Sequence, residues 1–394
     1  MTRSLSLYLD LLRFLAAFAV YIFHAKHFAK TEIPFIGNFG SEAVIVFFVL
    51  SGLLIATATR SQPKAGAFVQ ARLSRLWSVV IPALVLTLVT DIAGQYLSMT
   101  SYDPMQPYSS FKWVASIGMN ALFLNQVWYL SVWPGTNGPF WSLAYEFWYY
   151  MFFAAFVYLK GKTRILTLAI AMFIAGPLIL IAFPIWLLGT VVYVALGRNP
   201  VAQSQKGWVL WLGSFAAAFA FSHFDLRNVL TGVFPEAAAE AKWAVNFWPA
   251  SYLIGVVIAM NIYGFALMGN SLNAPLEKIS KLIRLGANIS FGLYLFHYPL
   301  MYFSKAVLMV LGIDSGIAFI FVIYIAPFVL SALLALKCEE HKAVFSYLIN
   351  AAIIFVSTRR QTWLLKKGVS VDDSRSNNRS DEEDCVVKAH NLSK

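Results

Sequence analysis

Long continuous apolar runs separated by short polar connections set the pattern of this chain. A run such as Phe47-Phe48-Val49-Leu50 does not alternate inward and outward as a barrel strand does. Stretches of roughly 20 apolar residues, the length a helix needs to cross about 30 Å of hydrocarbon, recur instead. About ten can be read, over residues 5–24, 41–59, 77–97, 141–159, 164–183, 184–197, 208–222, 248–268, 286–305 and 316–337. The pattern predicts an all-α polytopic membrane protein. Its membrane domain covers 1–337 and a tail follows over 338–394. Within the tail, 341–358 reads as an amphipathic stretch on the membrane surface, and 369–394, rich in Ser, Asn and acidic residues, reads as disordered.

Lys and Arg are unevenly divided between the two sets of connections. The side carrying the N-terminus holds more of them, most densely at Arg60, Lys64, Arg72 and Arg75. The positive-inside rule then places both termini in the cytoplasm. Asp10 and Arg13 interrupt the first apolar segment, so it does not read as a cleavable signal peptide. Two connections on the other side, 98–140 and 223–247, are too long for turns. The first contains Phe111 to Gln126, which reads as an interfacial stretch. Pro134-Gly135-Thr136-Asn137-Gly138-Pro139 then forms a turn feeding the fourth span.

Composition narrows the class. With 59% hydrophobic and only 12% charged residues, a soluble globular protein is excluded. The net charge of +11 does not point to nucleic acid, because the basic residues are scattered through inter-helix loops where membrane topology places them. Both cysteines, Cys338 and Cys385, lie in the tail, so neither a disulfide framework nor a thiolate metal cluster can be built.

An ionisable side chain inside a span costs roughly 2.5–3.5 kcal/mol and needs a partner, a cavity or a task. Arg13 and His24 lie eleven residues apart on the first helix, about 20° past three full turns, so they share a face about 16 Å apart along the axis. Asp10, three residues before Arg13, is placed to pair with it. His24 and His27 have metal-ligand spacing without a further nearby ligand, and no metal site is expected. Ser51-Gly52 is a small pair suited to close helix approach. In the fourth span Glu146 must face the bundle interior, as a partner for Arg or His, a neutral acid or a proton relay. Arg72 and Arg75 share a helix face before the third span, where they could anchor at the cytoplasmic surface or grip phosphate. His297 precedes Pro299, which frees a carbonyl and favours a kink; taken alone, this His reads as a structural hydrogen-bonder.

In order, these motifs resemble the acyltransferase 3 family of integral-membrane acyltransferases. The resemblance rests on Leu9-Asp10-Leu11-Leu12-Arg13 with His24, Phe47 through Gly52, Arg72-Leu73-Ser74-Arg75, Phe140 through Glu146, and Ile289-Ser290 through His297-Tyr298-Pro299-Leu300. It implies ten spans in a bacterial inner membrane, and transfer of an acyl group, usually acetyl, from cytosolic acyl-CoA to a hydroxyl. The implied acceptor is a carbohydrate such as an exopolysaccharide, O-antigen or lipid-linked glycan, and no permanently bound cofactor is implied. His24 would be the base or carry a transient acyl group, and Arg13 would position the donor. Arg72 and Arg75 would bind CoA phosphates. Glu146 and Trp141 would orient the acceptor, with Glu146 in reach of a charge pair with Arg13 or His24. Ser51, Ser142 and His297 complete the substrate-side set, the two serines with a structural part. Trp128, Tyr129 and Trp133 suit a glycan-stacking roof or an interfacial belt. Succinyl or another acyl group, a non-glycan acceptor, and a transporter or flippase remain open alternatives; Arg13 and His24 on one face favour the enzyme.

Overall fold

The computed structural model describes residues 1–33, 39–59, 61, 62, 64–102, 110–198, 204–269 and 271–340, with isolated positions between 343 and 351. It divides the chain into two units, Met1–Phe345 and Ser346–Lys394. Arg60, most of the stretch 341–358 and all of 369–394 lie outside the described residues.

The first unit is built of helices, and no strand occurs among the described residues. They are α1 (Arg3–Ala29), α2 (Gly40–Ala58), α3 (Ala65–Leu97), α4 (Ser110–Ala121), α5 (Trp141–Tyr158), α6 (Gly161–Ala175) and α7 (Pro177–Arg198). There follow α8 (Ser204–His223), α9 (Leu226–Val233), α10 (Pro235–Glu240), α11 (Trp248–Leu267), α12 (Asn273–Lys278), α13 (Ser280–Val310) and α14 (Gly316–Glu340). Six of these, α1, α2, α3, α7, α11 and α14, are long and apolar enough to cross a membrane, and a seventh arises if α8 and α9, bent by 65°, form one span. The expected count of about ten also includes α5, α6 and α13. Of these, α6 is only 15 residues long, and α13 carries Lys281, Arg284, Ser290, His297 and Lys305.

The expected boundary between the fifth and sixth spans is displaced. It falls at Gly176, whose φ of +81° ends α6, with Pro177 opening α7, while Pro184 lies inside α7. A glycine reaches positive φ without steric cost, and a following proline cannot extend the preceding helix. The third helix begins at Ala65 instead of near 77, so Arg72 and Arg75 lie on it.

Around α1 pack α2 and α13; α13 also meets α3 and α14, α2 meets α7, and α8 meets α11. The α2–α7 crossing is close because Gly52 faces Gly189. A Cβ at Gly52 would lie 2.0 Å from the Trp186 carbonyl oxygen, and one at Gly189 would lie 2.0 Å from that of Val49. The small pair therefore serves backbone approach, as its sequence suggests.

Prolines inside the helices leave carbonyls that water cannot reach in a bilayer, and at Pro299 and Pro327 other elements supply donors there. Pro299 frees the Leu295 carbonyl, which accepts from Asn137 Nδ2 at 2.9 Å. Pro327 frees that of Ile323, and Tyr21 OH, shared between two carbonyls there, lies 3.2 Å from Ile323 O and 2.9 Å from Tyr324 O. The first cap ties the 134–139 turn to α13. Asp91 ties the same turn to α3: it is fully buried and accepts from Thr136 N at 2.8 Å and Thr136 Oγ1 at 2.6 Å.

Candidate active site

Helix α1 carries Arg13 and His24 on one face, and they border different cavities. Arg13 lines a cavity of about 60 Å³ with Ser51, Arg72, Arg75, Glu146 and Tyr150. Four helices thus bring together five residues singled out from sequence. Arg13 makes the expected ion pair with Asp10. Arg72 Nε is buried without a hydrogen-bond partner, an unspent donor beside the cavity. The Glu146 carboxylate accepts from Tyr150 OH, and from Ser51 Oγ at 3.1 Å. Ser51 Oγ in turn accepts from Trp186 Nε1 at 3.1 Å. Glu146 therefore does not pair with His24. The two sit in separate cavities, and hydroxyls already hold the carboxylate.

His24 lines the second cavity, of about 200 Å³, with Trp133, Trp141, Trp243, Tyr294 and Tyr298. Its Nδ1 lies 2.8 Å from Nε2 of the fully buried His297, whose Nδ1 lies 2.7 Å from the Leu293 carbonyl oxygen. A carbonyl can only accept, so His297 Nδ1 carries the proton. In the neutral ring His297 Nε2 is then a lone pair, to which His24 Nδ1–H donates. The chain of donors leaves the lone pair of His24 on Nε2. Tyr298 sets its ring edge against His24 at 4.7 Å between centroids.

Aromatic groups shape the rest of this cavity. Trp141 and Trp243 stack at 4.9 Å with planes 9° apart, and Trp133 lies 5.8 Å from Trp243. Trp243 is fixed by its Nε1, which donates to Gln126 Oε1 at 2.7 Å. Of the other aromatics in the long connection, Trp128 packs on Phe173 and Tyr129 is exposed. Ser142 shares a hydrogen bond of 2.8 Å with Tyr294 OH, which also donates to the Pro139 carbonyl at 3.0 Å. The Tyr294 ring meets Phe47, on the wall of the arginine cavity, at 5.6 Å. This pair stands between the two cavities.

Along the sequence His24 and His297 stand apart, and Asp91, Tyr150, Tyr294 and Trp243 are not among the expected site residues. Asp91 had a signal, since it is a carboxylate within an apolar span. Trp243 had none, because its place comes from the return of the 223–247 connection.

Residues 6–336 match the family model described as an acyltransferase domain. The chain belongs to this acyltransferase 3 family of membrane O-acyltransferases. It is 24% identical over 309 residues to the O-acetyl transferase of Shigella phage Sf6, across 74% of this chain and 83% of that one. It is also 30% identical over 154 residues to acyltransferase MdmB of Streptomyces mycarofaciens, across 38% of this chain and 37% of that one. No solved structure matches the chain.

Proposed function

We propose that this protein moves an acetyl group from acyl-CoA to a hydroxyl of a carbohydrate acceptor in a bacterial inner membrane. The observation that carries the reading is the hydrogen bond from His24 Nδ1 to His297 Nε2, which leaves His24 Nε2 as the base in a cavity lined by tryptophans. An imidazole accepts a proton at neutral pH, and a sugar hydroxyl is a poor nucleophile until it loses one. In direct transfer the acceptor oxygen bonds to the acyl carbon, the C–S bond breaks, and the proton taken by His24 passes to the departing thiolate. His297 orients the ring, and its Nε2 lone pair supports the imidazolium, as a third group does in a nucleophile-activating triad.

Arg72 and Arg75 bind CoA phosphates, and Arg13 guides the pantetheine arm towards His24. Glu146 and Ser51, bonded to each other, shape the wall along that path. Trp141 stacks on the sugar, with Trp133 and Trp243 beside it. Ser142 sets Tyr294. The uneven distribution of Lys and Arg supports a cytoplasmic position for the arginine cavity and both termini. The name of the phage relative supports an acetyl group and an oxygen acceptor.

Cells lacking the gene, complemented with wild type or His24→Ala at equal protein level, test the reading through ester-linked acetate on envelope and secreted glycans. Restoration by wild type alone is expected. Equal restoration by His24→Ala removes His24 from the chemistry, and unchanged glycans in the deletion strain remove the carbohydrate acceptor.

A further inference from the structure

A further cavity, of about 520 Å³ and larger than the two already described, takes no part in the reading above. It lies beyond the histidine pair, on the side away from Arg13. Lys30 follows His24 by six residues and Lys305 follows His297 by eight, which is about 9 Å and 12 Å along their helices, and both lysines border this cavity. Arg13 and Ser290, which precede the two histidines, border the arginine cavity. Helices α1 and α13 therefore run the same way, and the cavities follow one another: arginines, then the histidine pair, then lysines.

Two features of the third cavity bear on its ligand. It is continuous in lining with the His24 cavity through Tyr298, which borders both. Tyr298 in turn packs on Tyr302 at 5.5 Å, so an aromatic wall leads from His24 into the larger space. The charge is also unbalanced. Lys30 and Lys305 border it with one carboxylate, Asp314, which accepts from the hydroxyl of Ser315 at 2.9 Å. Neither lysine makes a salt bridge among the described residues. Unpaired cations at the mouth of an aromatic-walled space attract an anion and hold it by charge-assisted hydrogen bonds.

We infer that this cavity is a binding site for an anionic group on the acceptor, held by Lys30 and Lys305 while a hydroxyl of the same molecule reaches His24. The chemistry is that of a carboxylate or phosphate attached to a glycan. A uronic acid within the glycan and the diphosphate of a prenyl carrier both supply it. The inference rests on the proposed acyl transfer for the role of the bound molecule, but the binding itself does not.

Equilibrium binding to the full-length protein in nanodiscs separates the two. The probes are a fluorescent uronate-containing oligosaccharide, a neutral oligosaccharide on a short prenyl diphosphate, and the free neutral oligosaccharide. Wild type and His24→Ala are expected to bind at least one charged probe more tightly than the neutral one at low salt. Lys30→Gln/Lys305→Gln should weaken that binding by about tenfold, roughly one charge-assisted hydrogen bond, and leave the neutral probe unchanged. Asp314→Asn, an exposed and conservative change that removes the opposing charge, should tighten it, and unchanged binding of the neutral probe shows that a loss in the lysine variant is not misfolding. Preference for the uronate probe alone locates the charge on the glycan, and preference for the prenyl diphosphate alone locates it on the carrier. Equal binding of all three probes by wild type, or a lysine variant that keeps the preference, overturns the inference. Because binding is read apart from turnover, failure of the transfer reading appears as acetylation kept by His24→Ala, or as glycans unchanged in the deletion strain, with anion binding intact.

Discussion

His24 and His297, 273 residues apart in the chain, meet through a single 2.8 Å hydrogen bond, and Leu293 fixes its polarity by accepting from the far side of His297. The bond does two things at once. It holds the His24 ring in place and keeps the Nε2 lone pair available.

Replacing His297 should therefore act on His24. His297→Ala removes the acceptor for His24 Nδ1–H, and kcat should fall by about a hundredfold, while His24→Ala should cost a factor in the range of about 10²–10⁴ typical of a lost general base. His297→Gln places an amide oxygen where Nε2 stood and should recover much of the rate. The double variant His24→Ala/His297→Ala should be no slower than His24→Ala, since the two act as a unit. Steady-state kinetics in nanodiscs with acyl-CoA and a fixed acceptor checks this. A change confined to acceptor KM would instead place His297 in binding.

The arginine cavity predicts a different signature. Arg72→Ala/Arg75→Ala should raise KM for acyl-CoA by about tenfold or more, as two charge-assisted phosphate contacts are lost, with kcat little changed. Acyl-pantetheine carries no nucleotide phosphates, so its KM should be insensitive to the same change. Equal losses with both donors would show that the arginines hold the fold and not the donor.

Much of this second site was legible along the chain. Arg13 and Asp10 are one helical turn apart, Arg72 and Arg75 likewise, and a carboxylate at 146 in an apolar helix has to face inward. What spacing does not carry is which helix lies opposite. Glu146 meets the hydroxyl of Ser51 because α2 lies against α5, Tyr150 being one turn along its own helix, and His24 meets His297 because α13 lies against α1. Pro299 announced a freed carbonyl without naming its donor. Asn137 reaches it only once the 134–139 turn is folded into the bundle. The helix break at Gly176–Pro177 was equally open to reading, but Pro184 competed as the breaker and is in fact accommodated within α7.

That turn gives a prediction about stability. Asp91→Asn retains one acceptor for Thr136 and loses the other, and Asn137→Ala leaves the Leu295 carbonyl without its side-chain donor. A buried polar group without its partner costs about 1–3 kcal/mol, so each variant should lower the unfolding midpoint in detergent. Each should also weaken acceptor affinity, since Gly138 and Pro139 border the His24 cavity. Gly52→Ala should be worse tolerated than either, because its methyl would meet backbone and not a movable side chain.

Phe47 and Tyr294 make the last and most specific prediction. Their rings stand between the arginine cavity and the His24 cavity, and Tyr294 is pinned by Ser142 and Pro139 whereas Phe47, a residue of α2, is held by packing. Truncating Phe47 to Ala removes one half of the partition without disturbing the hydrogen bonds of the other. Water excluded from the thioester in the wild type would then reach it through the His24 cavity. Phe47→Ala should therefore hydrolyse acyl-CoA in the absence of acceptor several-fold faster than wild type, while Tyr294→Phe, which keeps the ring and loses the hydroxyl, should not. Free thiol release measured with and without acceptor distinguishes the two. Wild-type levels of uncoupled hydrolysis in Phe47→Ala would mean that the partition lies elsewhere along the path.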